Sequence, residues 1–156
     1  MKITSSAFAH NGEMPSKFTC EGENVSPPLT WSGIPESAKS LVLIVDDPDA
    51  PDPAKPLRTW VHWLLYNIPA TATGLIENAS LPELPTGTLT GTNDRGSQAY
   101  HGPCPPIGRH RYFFKLYALD IVLPDLKQPN KADLVRAMDG HVVANCELIG
   151  TYQKQK

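Results

Sequence analysis

The chain has 156 residues with 16 prolines and a formal net charge of −2. Its length suits one domain around one core, and prolines at about twice their usual 5% share argue against a helical bundle, because each one breaks a helix interior. The chain lacks the basic excess of nucleic-acid-binding modules, and no stretch approaches the roughly 20 apolar residues of a membrane span.

The N-terminus turns polar at once, so it shows no apolar signal segment, and we expect a cytoplasmic protein. The three cysteines, Cys20, Cys104 and Cys146, are an odd number without metal-ligand spacing. They indicate neither a disulfide framework nor a zinc site. Reduced thiols are expected, and one long-range pair is left open.

Short apolar runs between turn signals predict a mainly β chain. Residues 41–45 form a β-branched run typical of a strand buried on both faces. The acidic, proline-rich residues 46–53 are predicted to end this strand, because proline cannot donate to a neighbouring strand. Residues 60–68 and 112–122 predict two further strands. Residues 82–108 predict a long connection with room for one short strand.

One helix is predicted near the C-terminus. Asn130 is suited to cap residues 131–138, and Gly140 is suited to end them in a left-handed conformation. Apolar residues at every second position then favour a last half-buried strand, and a helical interpretation of residues 141–149 stays open. No repeat or linker divides the chain, so we expect one domain over residues 1–156.

The first candidate for chemistry is the acidic turn Asp47-Pro48-Asp49-Ala50-Pro51. Proline restrains its own φ and the residue before it, so this turn is stiff and holds its carboxylates in fixed directions. The plainer interpretation is a solvated turn that leaves a core strand.

The second candidate is His62. Strand alternation predicts that Trp60, His62, Leu64 and Tyr66 share one face. A histidine among bulky apolar residues needs a hydrogen-bond partner. It is therefore either a structural residue with its partner inside the protein or a ligand-binding group.

The third candidate is the segment from Tyr100 to Tyr112, in which a loop rich in proline and glycine leads into a strand beginning at His110. Such a loop lets backbone N–H groups approach a ligand closely, and imidazole and phenol donors complete an anion site. The alternative is a tight structural crossover with a surface basic pair.

The sequence matches no known catalytic or nucleotide-binding motif. Cys104 lies between two prolines with no general base beside it in the sequence, which gives little support for a nucleophile. His62 and His110 lack diagnostic metal-ligand spacing. We therefore expect no metal and no cofactor.

In combination these segments resemble the phosphatidylethanolamine-binding protein family, and within it the bacterial Raf-kinase-inhibitor-like subgroup. The residues that carry the resemblance are Asp47-Pro48-Asp49-Ala50-Pro51, Trp60-x-His62-Trp63 and Pro105-Pro106-x-Gly108-x-His110-Arg111-Tyr112. Residues 19–22, 26–31 and 150–152 add to it, so the resemblance covers nearly the whole chain.

The resemblance implies a large antiparallel sheet packed on a smaller one, with Greek-key connections and a few short peripheral helices. It also implies a shallow pocket that accepts phosphate-like anions. The residues expected to bind the ligand are Asp47, His62, His110, Tyr112, Gly102, Pro105 and Gly108. Those expected to shape the pocket are Asp49, Pro51, Trp60 and Tyr100, with Tyr100 replacing a tyrosine that eukaryotic members carry on a C-terminal helix.

An aspartate beside an anion site is reasonable if it orients a histidine. We expect Asp47 to contact His62 or His110 and to raise the pKa of that imidazole, so that an imidazolium donates to the anion. Phosphate-type ligands would then bind more tightly near pH 6 than near pH 8.

The function that these expectations favour is non-enzymatic binding of a small anionic or phosphorylated ligand, with regulation of a partner protein such as a kinase. One alternative is a hydrolase that uses His62 or His110 as general base. Another is a protein-interaction or protease-inhibitor module. The resemblance further implies a homodimer, and it places Cys20 and Cys104 around the same end of the sheet.

Overall fold

The computed structural model of the protein describes residues 1–155. Its strands are β1 (Lys2–Thr4), β2 (Gly12–Glu13), β3 (Leu29–Ser32), β4 (Ser40–Ala50), β5 (Arg58–Pro69), β6 (Gly74–Leu75), β7 (Leu89–Thr90), β8 (His110–Leu119) and β9 (Val142–Tyr152). The α-helix α1 spans Lys131–Met138, and two single 3₁₀ turns span Ser16–Phe18 and Leu81–Glu83.

These strands form two sheets, as expected. The larger sheet has the order β2-β9-β8-β4-β5-β7, and the smaller has the order β1-β3-β6. Neighbouring strands are antiparallel except β2 and β9, which run parallel with Gly12 opposite Gly150. The chain is therefore mainly β, with one edge pair that departs from the expected antiparallel pattern.

The apolar residues pack on both faces of the larger sheet. Between the sheets, Leu41, Leu43 and Val45 of β4 pack with residues of the smaller sheet such as Trp31. On the other face, Val42 and Ile44 pack beneath α1. This two-sided burial explains the unbroken apolar run in β4 and confirms the prediction made for it.

The prediction that the prolines end β4 was wrong. The strand continues through the acidic segment to Ala50, which pairs with Arg58 of β5. The pairing is irregular between Asp47 and Ala50, and Pro48 lies inside that irregularity. A residue in such an irregularity does not have to donate a hydrogen bond to the neighbouring strand. Proline is therefore tolerated there, and the strand continues beyond it.

The predicted C-terminal elements are confirmed. The Asn130 side chain accepts a hydrogen bond from Asp133 N at 2.8 Å at the start of α1, and Gly140 follows the helix with φ of +81°. Residues 142–152 are a strand, so the helical interpretation is excluded. The connection over residues 82–108 contains one short strand, β7. No helix among residues 1–155 has the length and apolarity to span a membrane.

Candidate functional site

A cavity of about 380 Å³ lies where β4 ends and β5 and β8 begin, beside the proline-rich loop. Its lining residues are Asp47, Ala50, Pro51, Arg58, Trp60, His62, Arg95, His101, Gly102, Cys104, Pro105, Pro106, His110 and Tyr112. Three segments that are far apart in the sequence therefore meet at one place, and most of the predicted site residues line it.

A β-bulge directs His62 toward this cavity. Val45 pairs with Trp63 and the next residue, Asp46, pairs with Val61, so His62 is the extra residue of β5. Its carbonyl accepts from Asn93 Nδ2 at 3.1 Å and from His101 N at 3.3 Å, outside the sheet pairing.

The bulge also corrects the predicted face of β5. Trp60 and His62 line the cavity together, but Leu64 and Tyr66 pack under α1 on the opposite face. Regular alternation along β5 places these four side chains on one face of the sheet. The extra residue shifts the alternation, so Leu64 and Tyr66 lie on the other face. The sequence around His62 carries no signal for this bulge.

The His62 ring has one committed nitrogen and one free nitrogen. Nδ1 lies 2.6 Å from the carbonyl oxygen of His101, so Nδ1 carries a proton and donates it. Nε2 is buried and has no hydrogen-bond partner among residues 1–155. Burial lowers the pKa of His62 to about 4, so at neutral pH the ring is neutral and Nε2 is an acceptor.

His110 is held in a different way. Its Nδ1 lies 2.6 Å from Asp47 Oδ2, and its Nε2 lies 2.8 Å from Ile107 O and 3.1 Å from Pro51 O. All of these neighbours are acceptors, so the pair shares one proton between Asp47 and Nδ1 and keeps a second proton on Nε2. The Asp47–His110 pair is therefore neutral overall, and burial raises the pKa of Asp47.

This geometry confirms the expected contact between Asp47 and a histidine, but it corrects the role given to His110. The ring is fully buried, and both of its nitrogens are occupied by protein atoms. It has no N–H left for an anion. His110 fixes the acidic turn against the loop and shapes the cavity wall.

Asp49 lies beside the cavity without lining it. Its carboxylate accepts from Arg111 Nε at 3.0 Å, from Arg111 Nη2 at 2.9 Å and from the Arg111 backbone N at 2.9 Å. These bonds lower the pKa of Asp49. A bidentate ion pair of this kind fixes the turn, and the pocket-shaping role expected for Asp49 stays a prediction.

The loop wall is attached to the segment around Cys20. Cys104 forms a disulfide with Cys20, and Cys20 N donates to Pro103 O at 3.0 Å. The expectation of reduced thiols was therefore wrong for these two cysteines, and the long-range pair left open is the one that forms. Because its sulfur is bonded to Cys20, Cys104 cannot act as a thiol nucleophile.

Gly102 differs from its expected role as a backbone donor. Its N–H donates to Asn24 Oδ1 at 2.8 Å and so is already occupied. A Cβ at this position would overlap Phe18 O, which explains why glycine is required. Pro105 lines the cavity, whereas Gly108, with φ of +74°, turns the chain next to Pro53 outside the lining.

Tyr100 does not close this cavity. Its hydroxyl donates to Phe18 O at 2.8 Å, and its ring meets Trp63 edge-on at 5.5 Å between centroids. It lines a second cavity, of about 460 Å³, on the side of Trp63. The expectation that Tyr100 covers the ligand is corrected by this packing.

Arg58, Arg95 and His101 line the cavity and were not among the predicted residues. Arg58 lies over the Trp60 ring at 5.8 Å. Its position two residues before Trp60 on a strand was a usable signal, because i and i+2 share a face. His101 lies inside the candidate segment from Tyr100 to Tyr112, although no role was assigned to it. Arg95 belongs to an irregular connection, where the local sequence gives no such signal.

The resulting site has a neutral floor and a cationic rim. The Asp47–His110 pair and neutral His62 contribute no net charge, and both arginines are exposed at the edge. Burial and the nearby Asp47 raise the pKa of Tyr112, so its hydroxyl stays protonated. Within residues 1–155, no three His, Cys, Asp or Glu side chains are placed to hold a metal ion.

Comparison with known proteins identifies the family. The sequence profile of the phosphatidylethanolamine-binding proteins matches residues 4–153. The chain belongs to this family. A UPF0098 protein of Methanothermobacter thermautotrophicus is 50% identical over 155 residues, which cover 99% of each chain.

Solved structures agree with this assignment. A phosphatidylethanolamine-binding protein homologue from Chlamydia trachomatis superposes with a TM-score of 0.89 at 44% identity, covering 98% of this chain and 97% of the other. YbcL of E. coli, described as a member of the mammalian PEBP family, gives a TM-score of 0.89 at 34% identity, covering 99% and 98% of the two chains.

Proposed function

We propose that the cavity binds a small ligand through a phosphate-type anionic group, and that the protein acts as a binding module without catalysing a reaction. The observation that carries this proposal is the pair of guanidinium groups, Arg58 and Arg95, at the rim of a cavity with a neutral floor. Guanidinium is well suited to oxyanions because its N–H groups match their geometry.

The floor supports the same proposal. The carboxylate of Asp47 would repel an anion if it were unpaired, but the proton shared with His110 removes that repulsion. The Tyr112 hydroxyl stays protonated, and His62 presents an unpartnered nitrogen. A small oxyanion therefore finds positive charge at the edge and no opposing charge beneath it.

The geometry gives less support to a hydrolase. A general base needs a nucleophile within hydrogen-bond reach. Cys104 is held in a disulfide, and His110 has both nitrogens occupied. His62 has a free nitrogen, Nε2, and that atom has no hydroxyl or thiol partner among residues 1–155.

A protein partner such as a kinase or protease, and a homodimer, stay predictions of the family resemblance. Leu57 and Ile107 are exposed beside the lining residues Arg58 and Pro106. They supply apolar surface at the mouth, which a macromolecular contact would cover.

Charge-removing variants test the anion proposal. We expect Arg58→Ala and Arg95→Ala each to weaken binding of inorganic phosphate about three-fold, because each removes one exposed cationic contact worth roughly 0.2–1 kcal/mol. Isothermal titration calorimetry measures this directly. Arg109→Ala is the matched control, since Arg109 is exposed, pairs with Glu13 and lies outside the lining. Equal weakening by all three variants would show that bulk charge, rather than this cavity, binds phosphate.

A further inference from the structure

The cavity contains one buried acceptor that the protein leaves unsatisfied. The bond from His62 Nδ1 to His101 O at 2.6 Å fixes the ring tautomer, because a carbonyl can only accept. The other nitrogen, Nε2, then carries a lone pair and no proton. The residue is 5% exposed, and Nε2 has no partner among the described residues.

A buried acceptor without a donor is unfavourable, and native structures rarely leave one. The groups that surround the ring do not supply a donor. His110 is committed to Asp47, Ile107 and Pro51, while Tyr112 meets the His62 ring edge-on at 5.3 Å between centroids. The cavity beside the ring is therefore the place from which a donor can reach Nε2.

We propose that His62 Nε2 accepts a hydrogen bond from an acidic proton of the ligand, so that the cavity selects an oxyanion that still carries a P–OH group over one without a proton. This inference rests on the proposed function and specifies its ligand class. Hydrogen phosphate satisfies both requirements, with oxyanion charge for the arginines and a hydroxyl for His62. Sulfate carries similar charge but no proton at neutral pH, so its oxygen would face the lone pair of Nε2.

Selectivity of this kind has a general physical basis. Loss of a hydrogen-bond partner costs more free energy when the polar group is buried than when it is exposed to water. Sites built around a ligand hydroxyl reject analogues that lack it much more strongly than sites that recognise size alone. We therefore expect hydrogen phosphate to bind at least ten-fold more tightly than sulfate at pH 7.

The proton requirement also predicts how pH acts on different ligands. Inorganic phosphate keeps at least one P–OH between pH 5.5 and pH 8, whereas a phosphomonoester such as methyl phosphate loses its last one near pH 6. Methyl phosphate should therefore bind about ten-fold more tightly at pH 5.5 than at pH 8, and inorganic phosphate should change less. Titratable and charged groups around the His62 ring and its cavity are Asp46 and Asp47 on β4, Arg58 on β5, His110 and Tyr112 on β8, and His101 and Arg95 in the loop.

The test is a set of calorimetric titrations of the intact protein with inorganic phosphate, sulfate and methyl phosphate at pH 5.5, 7 and 8. Tight phosphate, weak sulfate and acid-dependent methyl phosphate support the proposal. Sulfate that binds as tightly as phosphate at pH 7, with proton uptake from the buffer, would place the proton on His62 and overturn it. Failure of all three ligands to bind would instead refute the proposed function.

A variant separates His62 from the rest of the site. His62→Gln replaces the acceptor with an amide that can donate, so the phosphate-to-sulfate affinity ratio should fall toward one while sulfate binding is retained. An unchanged ratio would contradict the assignment to His62. If His62→Gln does not fold, as judged by its thermal unfolding transition, the ratio measured for the unaltered protein and the methyl phosphate profile decide the question.

Discussion

His62 and His110 are both neighbours of the Tyr112 ring, which meets His62 edge-on and stacks on His110 at 6.4 Å between centroids. Their surroundings differ. His110 has an acceptor at each nitrogen and so holds protons for structure. His62 has an acceptor at one nitrogen only, and its other nitrogen has no partner among residues 1–155. Neighbouring acceptors, rather than residue type, decide which of the two histidines keeps a nitrogen without a partner.

Acid should destabilise the protein through His62. The pKa of His62 is about 4 in the folded protein and 6.5 in the unfolded chain. The unfolded chain binds more protons between these values, so the stability that neutral His62 contributes is lost as pH falls from about 6.5 to about 4, an effect of about 3 kcal/mol. Urea unfolding at pH 7 and pH 4 measures it.

In the same experiment, His62→Gln should show a smaller loss of stability between the two pH values. The effect of Asp47, whose raised pKa acts in the opposite direction, is present in both proteins and cancels in the comparison. His141→Gln, at a partly exposed histidine, serves as the control. Equal losses for the His62 variant and the unaltered protein would contradict this source of acid sensitivity.

At the scale of elements, helix α1 is attached to the large sheet by a buried charge. Asp46 of β4 is fully buried, and its Oδ2 accepts from Lys131 Nζ at 2.7 Å and from Lys115 Nζ at 3.1 Å. Lys131 is the first residue of α1 and Lys115 lies on β8. The apolar contacts of Leu134 under the helix complete this attachment.

Removing one lysine should weaken that attachment. Lys131→Met keeps the length of the side chain but leaves buried Asp46 with one cation, so we expect a loss of about 1–3 kcal/mol in the free energy of unfolding. Chemical denaturation measures the change. Arg136→Met removes an exposed partner of Asp133 on the same helix and should cost less than about 0.5 kcal/mol. Similar losses of unfolding free energy in both variants would show that burial of Asp46 does not strengthen the contribution of its ion pair.

At the scale of the whole molecule, the Cys20–Cys104 disulfide joins residues 84 positions apart and holds the cavity wall. Cross-linking a loop of this length restricts the unfolded chain, which typically stabilises a protein by about 2–4 kcal/mol. We expect Cys20→Ser with Cys104→Ser to lower stability by that amount and to weaken phosphate binding. Cys146→Ser, at the free cysteine, should do neither.

A count of free thiols in the denatured protein checks the bond itself. One thiol, from Cys146, is expected, and three thiols would contradict the disulfide. Persistent disulfides are typical of oxidising compartments. The disulfide therefore argues against the cytoplasmic location predicted from the N-terminus. Alkylation of free thiols before cell lysis shows whether Cys20 and Cys104 are oxidised or reduced in the cell.

The sequence by itself determined the elements and the family. Periodic apolar runs and the helix signals at Asn130 and Gly140 are local, so the main strands and α1 could be predicted from them. The three motifs were specific enough in combination to indicate which segments approach one another. Asp47, His62 and Tyr112, which belong to these motifs, line one cavity.

Only the tertiary structure decided what each of these residues can do. The bulge at His62, the occupied nitrogens of His110, the displacement of Tyr100 to the second cavity and the inclusion of Arg95 all depend on partners distant in the chain. A hydrogen bond uses up a donor or an acceptor, and which groups are used up is fixed by packing between segments. Local sequence specifies the groups that are present, and long-range contacts determine which of them are left for a ligand.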